Sequence, residues 1–253
     1  MKKNYKHYIT IADILIEVQS NLNEVELGFN DEFKQFLCTS NETVSVVKVK
    51  YIVSEKNFIP KGDLVFDPGS IWKVYKNGNI FYTTIEYPTD EYIGFPQVML
   101  KSNDKWDRIT IFEHRITLWN TLLNYGAGEL IFRTRMLFTD GVVVHAAGID
   151  DNGRGIIFVG HSGVGKSTQL KLWDNEDGVI QMNDDRIALR ISSQGVMAYG
   201  TPWYGTGQVA NNHKAPLKSI FLLEQSPVNE ICALLPSEAT SLLLSCTFLP
   251  YWN

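Results

Sequence analysis

Residues Gly160-His161-Ser162-Gly163-Val164-Gly165-Lys166-Ser167 satisfy the pattern Gly-x4-Gly-Lys-Ser/Thr at every fixed position. The apolar run Ile156-Ile157-Phe158-Val159 precedes them, and a helical pattern opens at Lys166. Strand, glycine-rich turn and helix in this order build a cradle for a phosphate chain. Glycine is needed because side chains would keep the backbone N–H groups from wrapping a β-phosphate, and the following helix turns its positive end toward the same anion. The expected nucleotide contacts are Gly160, Ser162, Gly163, Val164, Gly165, Lys166, Ser167 and Thr168. Lys166 is expected at the β/γ-phosphate oxygens and Ser167 on Mg²⁺. The alternative is a glycine-rich turn that holds no nucleotide. His161, inside the loop, is either a variable position or a catalyst.

A phosphate cradle does no chemistry alone, so carboxylates are sought at a neighbouring strand end. Asn183-Asp184-Asp185-Arg186 follows the apolar run Val179 to Met182, with Asp184 standing 18 residues after Lys166. Adjacent aspartates in an extended segment point in different directions and can divide two tasks. One can hold Mg²⁺ while the other accepts a proton from an attacking hydroxyl. The competing explanation is a turn between two strands. His145 ends the run Val142-Val143-Val144, 15 residues before Gly160, where a neighbouring strand would bring it beside the phosphates; otherwise it is structural. Arg186 is either a partner for its acidic neighbours or a phosphate contact.

Taken together, His145-Ala146-Ala147-Gly148, the loop from Gly160 to Ser167, and Asp184-Asp185-Arg186 resemble the catalytic core of HPr kinase/phosphorylase in motif order and spacing. The resemblance covers about residues 140 to 225. It implies a P-loop fold related to ATP-dependent phosphoenolpyruvate carboxykinase, with ATP and Mg²⁺ as cofactors and a protein serine hydroxyl as acceptor. It further implies Asp184 as the base for that serine, Asp185 as a Mg²⁺ ligand, His145 as support for the acidic pair, Lys166 as a catalytic residue, and a homo-oligomer. Thr168 stands where that family carries Glu, and its Arg-Gly-Leu-Gly loop for the reverse reaction is missing. In its place stands Gly200-Thr201-Pro202-Trp203-Tyr204-Gly205-Thr206-Gly207. This arrangement is similar to the HPr-kinase-like proteins of peptide-modification gene clusters, some of which phosphorylate a precursor-peptide serine. The glycines imply either a loop that closes over phosphates or acceptor, or a structural turn with Trp203 and Tyr204 in the core. The resemblance also leads one to expect more chain beyond the last helix.

The elements that must position these residues fall into two regions. From Ile9 to Phe112, short β-rich runs such as Val44 to Val53, Leu64 to Phe66, Ile71 to Tyr75 and Ile80 to Ile85 predict an antiparallel sheet. Asn77-Gly78 predicts a tight hairpin within it. Between Phe112 and Phe138 the apolar spacing predicts two helices, the first over Ile116, Trp119, Leu122 and Leu123, the second over Leu130, Ile131, Leu137 and Phe138. A boundary is expected around residues 100 to 112, separating a β-rich region, 1–110, with a role in partner or substrate recognition, from a nucleotide-binding domain, 111–253. The second region alternates strand runs with a helix from Lys166, and a last helix is expected from Ser237 to about Phe248. The expected fold is therefore α/β, with a P-loop HPr kinase/carboxykinase-like C-terminal domain and a β-rich N-terminal region.

Composition narrows the partners. Lys+Arg 23 against Asp+Glu 28 gives a net charge of −5, and 44% of the 253 residues are hydrophobic, as in a soluble globular chain. No basic footprint points to nucleic acid. The three cysteines, Cys38, Cys232 and Cys246, form no Cys-x-x-Cys pair, which fits a reducing, cytoplasmic setting better than a disulfide framework or zinc site. The longest apolar run, Leu242 to Trp252, is about half of the ~20 residues a membrane span needs, and no secretory signal is read. Two other functions remain compatible with this sequence: a kinase for a small hydroxyl compound, and a nucleotide-binding regulatory or assembly module without transfer.

Overall fold

The computed structural model describes residues 4–22, 27, 29, 31–39, 45–87, 95–114 and 126–250. The protein is mixed α/β and strand-rich, with two sheets and few helices. It divides into two compact units, one of Met1–Phe138 with Pro250–Asn253, the other of Thr139–Leu249. The expected boundary at residues 100 to 112 falls instead on two paired strands of the first sheet, and the division comes after Phe138.

The first unit holds β1 (Tyr5–Ile11), β2 (Ile14–Ser20), the short α1 (Asp31–Lys34), β3 (Ser45–Ser54), β4 (Asp63–Phe66), β5 (Trp72–Asn77), β6 (Ile80–Ile85), β7 (Val98–Asn103), β8 (Arg108–His114) and α2 (Ala127–Leu137). Its eight strands are ordered β1-β2-β3-β8-β7-β6-β5-β4. The sheet is mixed rather than antiparallel, because β3 runs parallel to both of its neighbours, β2 and β8. Hairpin signals report only strands adjacent in sequence, whereas parallel neighbours are joined by longer connections. The Asn-Gly hairpin is displaced by one residue: Asn77 pairs with Ile80, and the loop is Gly78-Asn79 with φ of 57° at Gly78. Alternation in β3 buries Val47, Val49 and Tyr51 and exposes Lys48 and Lys50. Of the two helices expected here, α2 corresponds to the second, and the first lies at 115–125, outside the described residues.

The second unit holds β9 (Gly141–Asp151), β10 (Arg154–Val159), α3 (Lys166–Leu172), β11 (Val179–Asn183), β12 (Arg186–Ser192), β13 (Gly195–Gly200), β14 (Lys214–Leu222) and α4 (Pro236–Ser245). Its strands are ordered β10-β14-β13-β12-β9-β11, with a further pairing of β10 to β9, so the ladders close into a ring. β9 makes this possible through its length. Its first half pairs with β12 and its second half with both β10 and β11. Only β10 and β14 run parallel. Val144, Ala146, Ile157, Val159, Met182 and Ile187, all fully buried, fill the core, and Leu170 on α3 joins a second cluster with Ala147, Ile149 and Phe158. No helix among the described residues is long and apolar enough to cross a membrane.

Candidate functional site

Strand register brings the three motifs to one end of the second sheet. On β9, Ala146 faces Val159, the last residue of β10, while His145 faces Arg186, the first residue of β12. Gly160 therefore follows β10 beside β9, and Asp185 precedes β12 beside His145. The Ala146 N–H donates to the Asp185 carbonyl at 3.2 Å. The small residues of His145-Ala146-Ala147-Gly148 serve this packing: a Cβ at Gly148 would stand 2.6 Å from Ile187 Cδ1.

Residues 160–167 join β10 to α3 with φ of 84° at Gly163 and 116° at Gly165, backbone conformations that glycine adopts without strain. A Cβ at Gly160 would meet Val164 Cγ1 at 2.7 Å. Gly165 is the N-cap of α3 and no side chain caps it, which leaves the first N–H groups of the helix for another acceptor. Lys166 is buried, and its Nζ donates to the carbonyls of Gly160 at 2.9 Å and His161 at 3.1 Å. Burial lowers its pKa, against the opposing negative charge of Asp185 and Asp184. Gln225 Nε2 donates to the Gly163 carbonyl at 3.1 Å and ties the loop to the segment after β14. His161, Ser162 and Thr168 are exposed, and Val164 and Ser167 are half-buried.

The acidic turn is organised by Asn183, whose residue type alone marks it only as a turn former. It is fully buried. Its Oδ1 accepts the N–H groups of Asp185 at 2.7 Å and Arg186 at 2.6 Å, and its Nδ2 donates to the carbonyls of Thr201 at 2.8 Å and Trp203 at 2.9 Å. One side chain thus shapes the turn and anchors the glycine-rich segment after β13. That segment in turn holds Asp184, which is only 2% exposed: Oδ1 accepts the Gly205 N–H at 2.8 Å and Oδ2 the Gly207 N–H at 2.6 Å. Trp203 is fully buried and Tyr204 half-buried, so the aromatic pair is partly core, and Gly205 and Gly207 are where the backbone approaches a carboxylate. A Cβ at Gly207 would stand 2.7 Å from Asp184 Oδ2. Gly207→Ala should therefore push the segment off Asp184 and lower stability by about 1–2 kcal/mol, read by urea unfolding. An unchanged midpoint would show that the segment yields freely.

Asp185 points the other way, as adjacent residues should. Its Oδ1 lies 2.8 Å from His145 Nε2, and because a carboxylate only accepts, that ring nitrogen carries the proton. Arg186 pairs with Oδ2, and its guanidinium lies 4.1 Å above the Phe248 ring. Burial alone would raise the Asp185 pKa, but the His145 hydrogen bond and the positive charges of Arg186 and Lys166 outweigh it and hold the carboxyl below the usual range. A carboxyl lowered on folding contributes stability that is fully present above its ordinary pKa and lost as pH falls through its folded one. Acid unfolding of the wild type should thus lose this contribution below about pH 4, whereas Asp185→Asn should show a flatter dependence there; identical acid limbs would refute the linkage.

The donors available to a divalent ion are oxygens, from the Ser167 hydroxyl and the Asp185 carboxylate, and this hard set suits Mg²⁺. No group of three or more His, Cys, Asp or Glu side chains poised for a metal occurs among the described residues. Compared with known proteins, the chain matches no family model and no curated sequence.

Proposed function

We propose that this protein is an ATP- and Mg²⁺-dependent kinase that transfers the γ-phosphoryl group to a serine hydroxyl on a protein or peptide. The observation that carries the proposal is the convergence of Lys166, Asp184, Asp185 and His145 at one end of one sheet. The motif resemblance supports the serine acceptor. In this mechanism Lys166 leaves the Gly160 and His161 carbonyls for the β/γ-phosphate oxygens. Ser167 and Asp185 would hold Mg²⁺, which when bound would supply positive charge against the nucleotide phosphates, and His145 and Arg186 keep the Asp185 carboxylate charged and oriented. The serine oxygen bonds to the γ-phosphorus as the bond to the β,γ-bridging oxygen breaks, ADP leaves, and Asp184 takes the serine proton. For Asp184 to reach that proton, the segment of Gly205 and Gly207 must lift from it.

A second function, nucleotide binding without transfer in a regulatory or assembly module, draws on the same detail: both Asp184 oxygens are already taken by backbone amides. The two are separated by incubating the purified chain with Mg²⁺, γ-labelled ATP and an extract of its source. Label on a discrete protein or peptide is expected. Label confined to the low-mass fraction would select a small hydroxyl acceptor, and ATP binding without transfer would overturn the kinase. Lys166→Met should weaken ATP binding about 10- to 100-fold by calorimetry, the value of a charge-assisted hydrogen bond. Unchanged affinity would remove the loop from the nucleotide site.

A further inference from the structure

The first unit carries a feature that phosphoryl transfer does not use. An open concavity of about 710 Å³ lies on the solvent face of its sheet, and its lining includes Lys48, Lys50, Lys101 and Arg108, with Glu17 the one carboxylate among the described residues that line it. Glu17 is already engaged by Lys6 at 3.1 Å. All four cations are exposed, and among the described residues Lys50, Lys101 and Arg108 have no carboxylate partner.

Their placement is not the usual use of surface lysine. Lysines commonly blunt the edges of a sheet, but these side chains stand on β3, β8 and β7, three adjacent central strands. Lys48 is aligned with Arg108 across the β3–β8 ladder, and Lys50 and Lys101 share Thr110 as their cross-strand neighbour. Like charges held side by side repel, so the fold gains nothing from the arrangement. Lys48 and Lys50 are two residues apart on one strand and hence about 7 Å apart, with neighbouring strands about 5 Å away. Alternate residues of an extended chain repeat at that same spacing of about 7 Å.

We infer that this concavity is a docking surface for an extended acidic segment of a partner protein, with carboxylates at alternate residues. One observation favours peptide over nucleic acid: among the described residues no aromatic ring lines the concavity to stack a base. The Thr110 hydroxyl, on β8 between Lys50 and Lys101, suits hydrogen bonding to a peptide. The inference goes beyond the kinase proposal and holds whether or not the second unit transfers phosphate.

The test is fluorescence anisotropy of the full chain, without nucleotide, against a labelled (Glu-Thr)5 peptide, with (Gln-Thr)5 and a ten-nucleotide oligouridylate as comparators. Only the acidic peptide should bind, less tightly as salt rises. The double variant Lys48→Glu/Lys101→Glu should lose at least about tenfold in affinity, and Lys48→Gln/Lys101→Gln, which avoids new charge repulsion, should lose a smaller factor with an unchanged thermal midpoint. Absence of peptide binding, binding that both variants leave intact, or tighter oligouridylate binding lost in the same variants would each overturn the inference.

Discussion

Asp184→Asn should slow phosphoryl transfer by about 10³-fold while leaving ATP affinity within about threefold. A positioned general base contributes roughly 10²–10⁴-fold, and in the proposed mechanism holding the nucleotide is the separate task of residues 160–167. The measurement is single-turnover transfer alongside calorimetric ATP binding. The structure adds a control that the motif alone would not have called for. Asp184 accepts the N–H groups of both Gly205 and Gly207, so an amide there keeps one acceptor and turns its NH₂ toward a backbone donor. That mismatch costs about 1–3 kcal/mol, and loosened structure would itself slow transfer. Gly207→Ala, which disturbs the same segment and keeps the carboxylate, separates the two effects. If it slows transfer as much as Asp184→Asn does, Asp184 acts by holding the segment and not by taking the proton.

Asn183→Ala should destabilise the second unit by about 4 kcal/mol. The substitution removes a donor from the carbonyls of Thr201 and Trp203 and an acceptor from the N–H groups of Asp185 and Arg186, around a side chain with no exposed surface. Each buried group left unpaired costs about 1–3 kcal/mol, and water entering the space vacated recovers part of the sum. Asn183→Asp should do no better, because a carboxylate oxygen would replace the NH₂ that faces two carbonyls. Urea unfolding of the three proteins decides it, and a loss below about 1 kcal/mol for Asn183→Ala would contradict the assigned role. This result does not depend on the function of the site.

Some of this was legible in the residues. The run Ile80 to Ile85 is β6 to the residue, and the strand, glycine loop and helix around Lys166 lie where the pattern places them, because local hydrophobic runs and glycines carry that information. The parallel pairings of β3 were not legible, since they join strands far apart in sequence. Nor was the β1–β2 turn. Ala12 and Asp13 adopt φ of 48° and 59°, the work of Asn-Gly in a tight hairpin, with alanine accepting a conformation its own propensity disfavours. At the site, residue types marked Asp184, Asp185 and His145 as candidates, but the pairing of His145 with Asp185, rather than with both acids, follows from register. Asn183 resembled a turn former, and only burial and four hydrogen bonds reveal it as the joint between two segments.

The ring of strands in the second unit also governs how the chain can be made. β9 is the hub, and its first half receives its last partners late: the His145 N–H donates to the Cys246 carbonyl and the Phe248 N–H to the Val143 carbonyl. Those residues lie about 100 positions further along the chain. Pairings so distant in sequence close slowly. At a synthesis rate of about 5–20 residues per second, that flank of β9 waits roughly 5–20 s on the ribosome before its partner exists. Through that interval the backbone groups of Val143 and His145 offer an open strand edge to any neighbouring chain, so the yield of folded protein should rise when translation is slowed less than crowding of nascent chains is reduced.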